Sequence, residues 1–138
     1  MFRPAAARQR RLSRCVDVDA WPVLLAGVFV VGERTVYLRS LTAMTIGHEV
    51  AHAIDCALGG GVDRSGFDPH IRAAYAAARA FVTPYAATGL DEYFAESFRA
   101  YAGVLNDAVS PWPGPTRERL RTCDPTMHEI VAEIFACA

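Results

Sequence analysis

The sequence predicts a small α+β domain, mainly helical with an N-terminal β-hairpin. Three observations carry that prediction. The chain has 138 residues, a length that suits one core. Apolar residues make up 52%, enough to fill that core without staples. Two short β-rich runs near the start give way to helical periodicity that continues to the end.

Taken in order, residues 1–15 read as a basic flexible N-terminus, with Arg3, Arg8, Arg10, Arg11 and Arg14 and no acid. Such a head can touch nucleic acid or membrane. The simpler reading is a solvated terminus, so no nucleic-acid partner is expected. Residues 16–138 then form a single domain. Val23–Val31 and Thr35–Arg39 are rich in Val, Phe and Tyr and read as two strands. Gly32-Glu33 between them fits a type II′ turn. Thr42 to Leu58 reads as a helix, capped by Ser40 or Thr42 and ended by Gly59-Gly60-Gly61. Asp68-Pro69 has the cap-then-proline signature of a second helix, running to about Val82. Thr83–Gly89 is a loop, and Asp91 caps a third helix reaching Asn106. Ser110–Pro115 is a rigid connector; a helical turn follows from Thr116, and a last helix starts at Asp124-Pro125. No stretch is long and apolar enough to predict a transmembrane segment. No clear signal peptide precedes the first strand, which leaves cytoplasmic and non-classically exported locations both open. Cys15, Cys56, Cys123 and Cys137 form no C-x-x-C pair, and their disulfide state stays open.

The chemistry gathers in T45-I-G-H-E-V-A-H-A-I-D55. Ile46, Val50, Ile54 and Leu58 recur every four residues, an apolar stripe expected to face the core. His48 and His52 then point the other way, one turn apart, at the spacing at which two imidazoles share one ion. Glu49 flanks the pair. The helix from Asp91 repeats the pattern: Phe94, Phe98, Tyr101 and Leu105 on one side, Glu92 and Glu96 on the other. Glu92, in the first turn, is expected as the third ligand. Glu96 is expected to accept a hydrogen bond from a liganding histidine.

Three segments together, H48-E-V-A-H52-A-I-D55, Tyr85 and D91-E-Y-F-A-E-S-F98, resemble the zinc peptidase domain of anthrax lethal factor and the related Pro-Pro endopeptidases. That family combines H-E-x-x-H and A-[VI]-D with a tyrosine seven residues before a glutamate ligand in E-[FY]-F-A-E. The likeness covers roughly Thr35 to Tyr101, about half the chain. It implies a zincin-like fold holding one Zn2+ on His48, His52 and Glu92. It also implies Glu49 as general base, Tyr85 as the catalytic hydroxyl, and Glu96 and Asp55 supporting the ligands.

The expected function is therefore a zinc-dependent endopeptidase, a hydrolase. Glu49 would activate a metal-bound water and Tyr85 would stabilise the oxyanion. A peptide or protein substrate would lie extended along the hairpin edge, on Val28–Val31 or Arg34–Leu38. The alternatives are a non-catalytic zinc-stabilised binding protein and a small metalloprotein that cleaves a regulator.

Overall fold

The computed structural model describes residues 26–106 and 114–137. The basic segment, residues 23–25 of the first expected strand, Cys15, Trp21, Trp112 and most of the expected proline connector lie outside that range.

Strands β1 (Gly27–Val30) and β2 (Thr35–Leu38) pair antiparallel, Gly27 opposite Leu38 and Val30 opposite Thr35. The turn between them is longer than the expected two-residue one. Val31–Glu33 make a 3-10 turn and Arg34 closes it in the left-handed region, φ 50°. Gly32 therefore does not hold the positive-φ position. Thr35 donates its hydroxyl to the Glu33 carbonyl, and Tyr37 hydrogen-bonds the Glu33 carboxylate, which fixes the wider turn.

Helix α1 (Ala43–Leu58) starts where Thr42 accepts from the Thr45 amide, so Thr42 and not Ser40 is the cap. It ends at Gly59, where a Cβ would lie 1.8 Å from the Val62 carbonyl oxygen. Only glycine lets the following loop fold back so tightly. A short 3-10 turn at Arg64–Gly66 leads to α2 (Pro69–Ala77), capped by Asp68, which accepts from the His70 and Ile71 amides. Helix α2 stops five residues before the expected Val82. Ala78 is already extended, because Phe81 and Val82 turn back into the core beside Tyr75 and Tyr93. That burial outweighs the alanine helix propensity.

Helix α3 (Leu90–Ala102) begins one residue after a 3-10 stretch at Tyr85–Thr88. Gly89 occupies the cap position, so Asp91 sits in the first turn, where its charge favours the helix N-terminus, and is not the cap. The helix ends at Ala102 and not at Asn106. Gly103 takes the left-handed conformation (φ 80°), and the Val104 amide reaches back to the Arg99 carbonyl. Helices α4 (Arg117–Cys123) and α5 (Pro125–Ala136) are capped by Thr116 and Asp124. Asp124 also accepts a 2.5 Å hydrogen bond from the Tyr93 hydroxyl, which ties α5 to α3.

The protein is thus mainly helical with one small antiparallel hairpin, and among the described residues no helix is long and apolar enough to cross a membrane. The core lies between α2, α3, α4 and α5. Ile71, Val82, Tyr93, Phe94, Leu120, Met127 and Val131 fill it. Each such side chain contributes about 1.5–3 kcal/mol by leaving water. Phe98 stacks between Phe94 and Phe135, and Tyr101 meets Phe135. The aromatic stripe of α3 therefore faces the core as far as Tyr101; Leu105, past the helix end, is exposed.

Helix α1 departs from expectation. Ile46, Val50 and Leu58 are exposed to 37%, 42% and 43%. Its buried residues are Thr45, Glu49, Ala51, Asp55 and Cys56. Helix α1 is wedged between the hairpin and α3, and it meets α3 through its least bulky positions. Ala51 is fully buried, and a Cβ on Gly47 would come within 2.8 Å of Val104. The polar side of α1 is the inner side.

Candidate metal centre

Because the polar face of α1 meets the acidic face of α3, four titratable side chains converge in the seam. His48 Nε2 lies 2.9 Å from Glu92 Oε2, His52 Nε2 lies 3.4 Å from that oxygen, and the two Nε2 atoms are 3.1 Å apart. A tetrahedral ion with ligands at about 2.0–2.2 Å sets ligand–ligand separations of roughly 3.3–3.6 Å. The triangle is within a few tenths of an ångström of that size. Glu92 Oε2 is buried and has no hydrogen-bond partner, although two ring nitrogens crowd it. Two imidazoles and a carboxylate are the donor set of a borderline metal ion. His48, His52 and Glu92 could hold a metal ion.

The electrostatics favour positive charge at this point. Burial alone would lower the His48 pKa, but the close carboxylates of Glu92 and Glu96 outweigh it and raise it to about 9. Burial likewise works against ionised Glu92 and Glu96. Close contacts with His48 and His52 pull Glu92 down to about 2, and hydrogen bonds from His48 and Arg99 pull Glu96 down to about 2.

Each remaining residue of the expected site has a definite place. Glu96 Oε1 lies 2.8 Å from His48 Nδ1, so that nitrogen carries the proton and Nε2 is turned toward the cluster. Glu49 is 7% exposed and packs under β1. Burial pushes its carboxyl up, against the pull of His48 and His52 and a hydrogen bond from the Phe29 amide. Tyr85 is half exposed on the 3-10 turn before α3. Its ring lies 5.5 Å from that of His48, and its hydroxyl donates to Glu92 Oε1 at 3.2 Å. Burial and the Glu92 charge raise its pKa to about 12, so it stays a donor.

Asp55 makes no hydrogen bond to either histidine. It is fully buried and accepts from the Ser65 amide at 2.8 Å and the Ser65 hydroxyl at 2.5 Å. It therefore braces the loop after α1 and supports the cluster only at a distance. Cys56 is buried in the same helix, and Cys56, Cys123 and Cys137 are free thiols. His70 and His128 lie outside the cluster; His128 packs against Tyr101.

Four contributors escaped sequence reasoning. Thr83 donates to Glu96 Oε2 at 2.7 Å and accepts from the Ala86 amide, linking the tyrosine turn to the carboxylate. Arg99 grips both Glu96 oxygens. Its placement three residues after Glu96 on one helix was the available signal. Asp63 lines the cleft beside His52 with its Oδ1 buried and unpartnered. Gly27 allows β1 onto α1: a Cβ there would lie 2.8 Å from Glu49 Cγ and 2.9 Å from Thr45 Cγ2.

The cluster opens into two cavities. One, about 280 Å³, runs along Gly27–Phe29 and Val31 past His52, Asp63 and Asp91. The other, about 340 Å³, is bounded by Met44, Pro84, Arg99 and Asn106. Gly27, His48, Glu49 and Tyr85 line both. Strand β1 borders the cleft, whereas no residue of β2 does.

In comparisons with known proteins, no family model, no curated protein and no solved structure matches the chain.

Proposed function

We propose that this protein is a zinc-dependent endopeptidase with a zincin-like active site of the lethal factor-like type. The observation that carries the reading is the convergence of three donor atoms, from His48, His52 and Glu92, within 2.9–3.4 Å of one another, with Glu49 and Tyr85 lining the same cleft. Zinc suits two imidazoles and a carboxylate, and three protein ligands leave one position of a tetrahedron open. A bound zinc ion would polarise the scissile carbonyl and make water a nucleophile near neutral pH.

The rest of the chemistry falls to the chain. Glu49 is held by the Phe29 amide at the junction of the two cavities, and burial brings its basicity closer to neutral. It takes a proton from the attacking water and returns it to the leaving amine. Tyr85, a protonated donor at any working pH, turns its hydroxyl from Glu92 to the developing oxyanion. One such donor is worth about 3–4 kcal/mol of barrier. An extended peptide lies along β1, Val28–Val31, with residues on both sides of the scissile bond in the two cavities; Arg34–Leu38 is too remote for this role. A purely structural zinc site would need neither Glu49 nor Tyr85.

The test is cleavage of a peptide library by the zinc-loaded chain, with chelator and with Glu49→Gln. Cleavage should vanish with the chelator and return with zinc. Glu49→Gln should hold one zinc per chain and cut nothing. A zinc-loaded wild type that cleaves no peptide, or a fully active Glu49→Gln, overturns the reading.

A further inference from the structure

The side chain that the metal centre leaves unexplained is Arg99. It is 3% exposed, yet it belongs to no ligand set and lies on the inner face of α3. A buried guanidinium needs acceptors for its rigid fork of donors. Arg99 finds them on three separate groups. Nε and Nη2 reach Glu96 Oε1 and Oε2 at 3.0 and 2.8 Å. Nη1 reaches the Val104 carbonyl at 3.1 Å, and Nη2 reaches Asn106 Oδ1 at 3.0 Å.

We propose that Arg99 is a positioning residue for the metal centre, which fixes His48 from two sides, through Glu96 at its Nδ1 and through Val104 packed on Gly47 beside it. This rests on the metal-site reading above. The first side is the carboxylate. Each Glu96 oxygen accepts two bonds: Oε1 from His48 Nδ1 and Arg99 Nε, Oε2 from Thr83 Oγ1 and Arg99 Nη2. With four donors on it, the carboxylate cannot pivot, and it holds the His48 ring in one tautomer and one plane. Without Arg99 it keeps two donors and is free to turn about its last torsion. The second side is the chain after α3. The Arg99–Val104 bond holds Val104 where its side chain meets the bare backbone of Gly47, next to His48. The same guanidinium holds Asn106, which with Arg99 forms part of the wall of the larger cavity. An ion pair serving only helix stability would be satisfied by Glu96 alone. Lysine carries the charge but cannot span these acceptors.

The experiment uses the full chain with Co2+ as the probe, bound in competition with a chelator and read by its visible absorption. Arg99→Lys should bind Co2+ about 10- to 100-fold more weakly and with an altered spectrum. In a Glu96→Gln background the Arg99→Lys change should cost clearly less than it does alone, since the carboxylate route is already gone and only the Val104 route remains. In the metal-free wild type, the His48 Nδ1 proton should give a downfield, slowly exchanging resonance, lost in Arg99→Lys. Wild-type binding and spectrum retained in Arg99→Lys, or fully additive losses, overturn the role of Arg99. If the variants melt too early to measure, the wild-type resonance decides: its absence overturns the proposal and its slow exchange supports it. A wild type that takes up no Co2+ overturns the metal centre itself, a result distinct from uptake that ignores Arg99.

Discussion

Helix α3 turns its aromatic side to the core and its carboxylates to α1; helix α1 turns its histidines and carboxylates inward and its aliphatic row to the surface. Both are amphipathic, and they face each other across one cluster. The difference follows from what lies behind each helix. Behind α3 stand α4 and α5, which offer Leu120, Met127, Val131 and Phe135 to its aromatic side. Glu92 and Glu96 are then left to point at α1. For His48 and His52 to meet Glu92, α1 must show its polar side to α3. Its opposite side, with Ile46 and Val50, has no such layer behind it among the described residues. Amphipathicity says which residues share a face. It does not say which face is inside when a polar site occupies the seam.

The comparison breaks first at Phe94, which is fully buried in the aromatic stack of α3. Phe94→Ala should cost about 3–5 kcal/mol in urea unfolding. A loss under about 1 kcal/mol would mean that α3 is not the centre of the core.

Next comes Glu92, where the two polar faces touch. Glu92→Ala removes a donor atom but opens little of the core, since the residue sits at the cleft mouth in the first turn of α3. Zinc affinity should fall by more than the roughly 10- to 100-fold that loss of an outer partner costs. Thermal stability of the metal-free chain should change far less than for Phe94→Ala. Unchanged zinc content, measured by metal analysis after dialysis, would assign the third ligand elsewhere.

This pair of helices also shows which parts of the protein were legible beforehand. His48, His52, Glu92 and Glu96 were, because residues four apart on a helix share a face whatever the helix packs on. Asp68 and Asp124 were legible as caps for the same local reason, Thr42 as one of two candidates, and Thr116 as the start of a helical turn. The inward side of α1 was not, since it depends on what the rest of the chain places behind it. The partner of Asp55 was not legible, because Ser65 lies in a loop that no periodicity locates. The far ends of α2 and α3 were drawn too long: Phe81 and Val82 are claimed by the core, and Gly103 closes α3 before the apolar spacing ends. Gly27 matters only because Glu49 lies under it, a contact between a strand and a helix.

The polar seam should also answer to pH, with opposite signs for the empty and the loaded protein. The raised His48 pKa means that its contribution to stability is full below its ordinary value of 6.5 and is lost as pH rises through about 9. Glu92 and Glu96, lowered to about 2, contribute fully above their ordinary 4.5 and lose that contribution only as pH falls through about 2. The metal-free chain should therefore lose stability between pH 6.5 and 9. Over the same window zinc should bind more tightly, by up to about tenfold per pH unit, since the ion no longer competes with the His48 proton. Thermal melts with and without zinc at pH 6 and pH 9 check both signs. Zinc affinity that does not vary over this range would show that His48 is not a ligand.

The smallest effect is expected on the outer side of α1. Val50 is followed by Ala51 and His52, so a substitution there sits within one turn of both the fully buried contact to α3 and a side chain that could hold a metal ion. Its own side chain nevertheless points away from the seam and is 42% exposed. Val50→Ser removes two methyl groups that are already partly in water and introduces a hydroxyl that water can satisfy. Serine has about the helix propensity of valine, so the backbone gives no offsetting penalty. The unfolding free energy should change by less than about 0.5 kcal/mol, as for other surface positions, and zinc affinity should not change. Ala51→Ser, one residue on, places a similar hydroxyl where no water reaches and where α1 meets α3. That variant should cost about 1–3 kcal/mol through an unsatisfied buried group. The ratio of the two is a direct measure of which side of α1 is inside. Equal costs, or a larger cost at Val50, would return the aliphatic row to the core and reverse the orientation on which the metal centre depends.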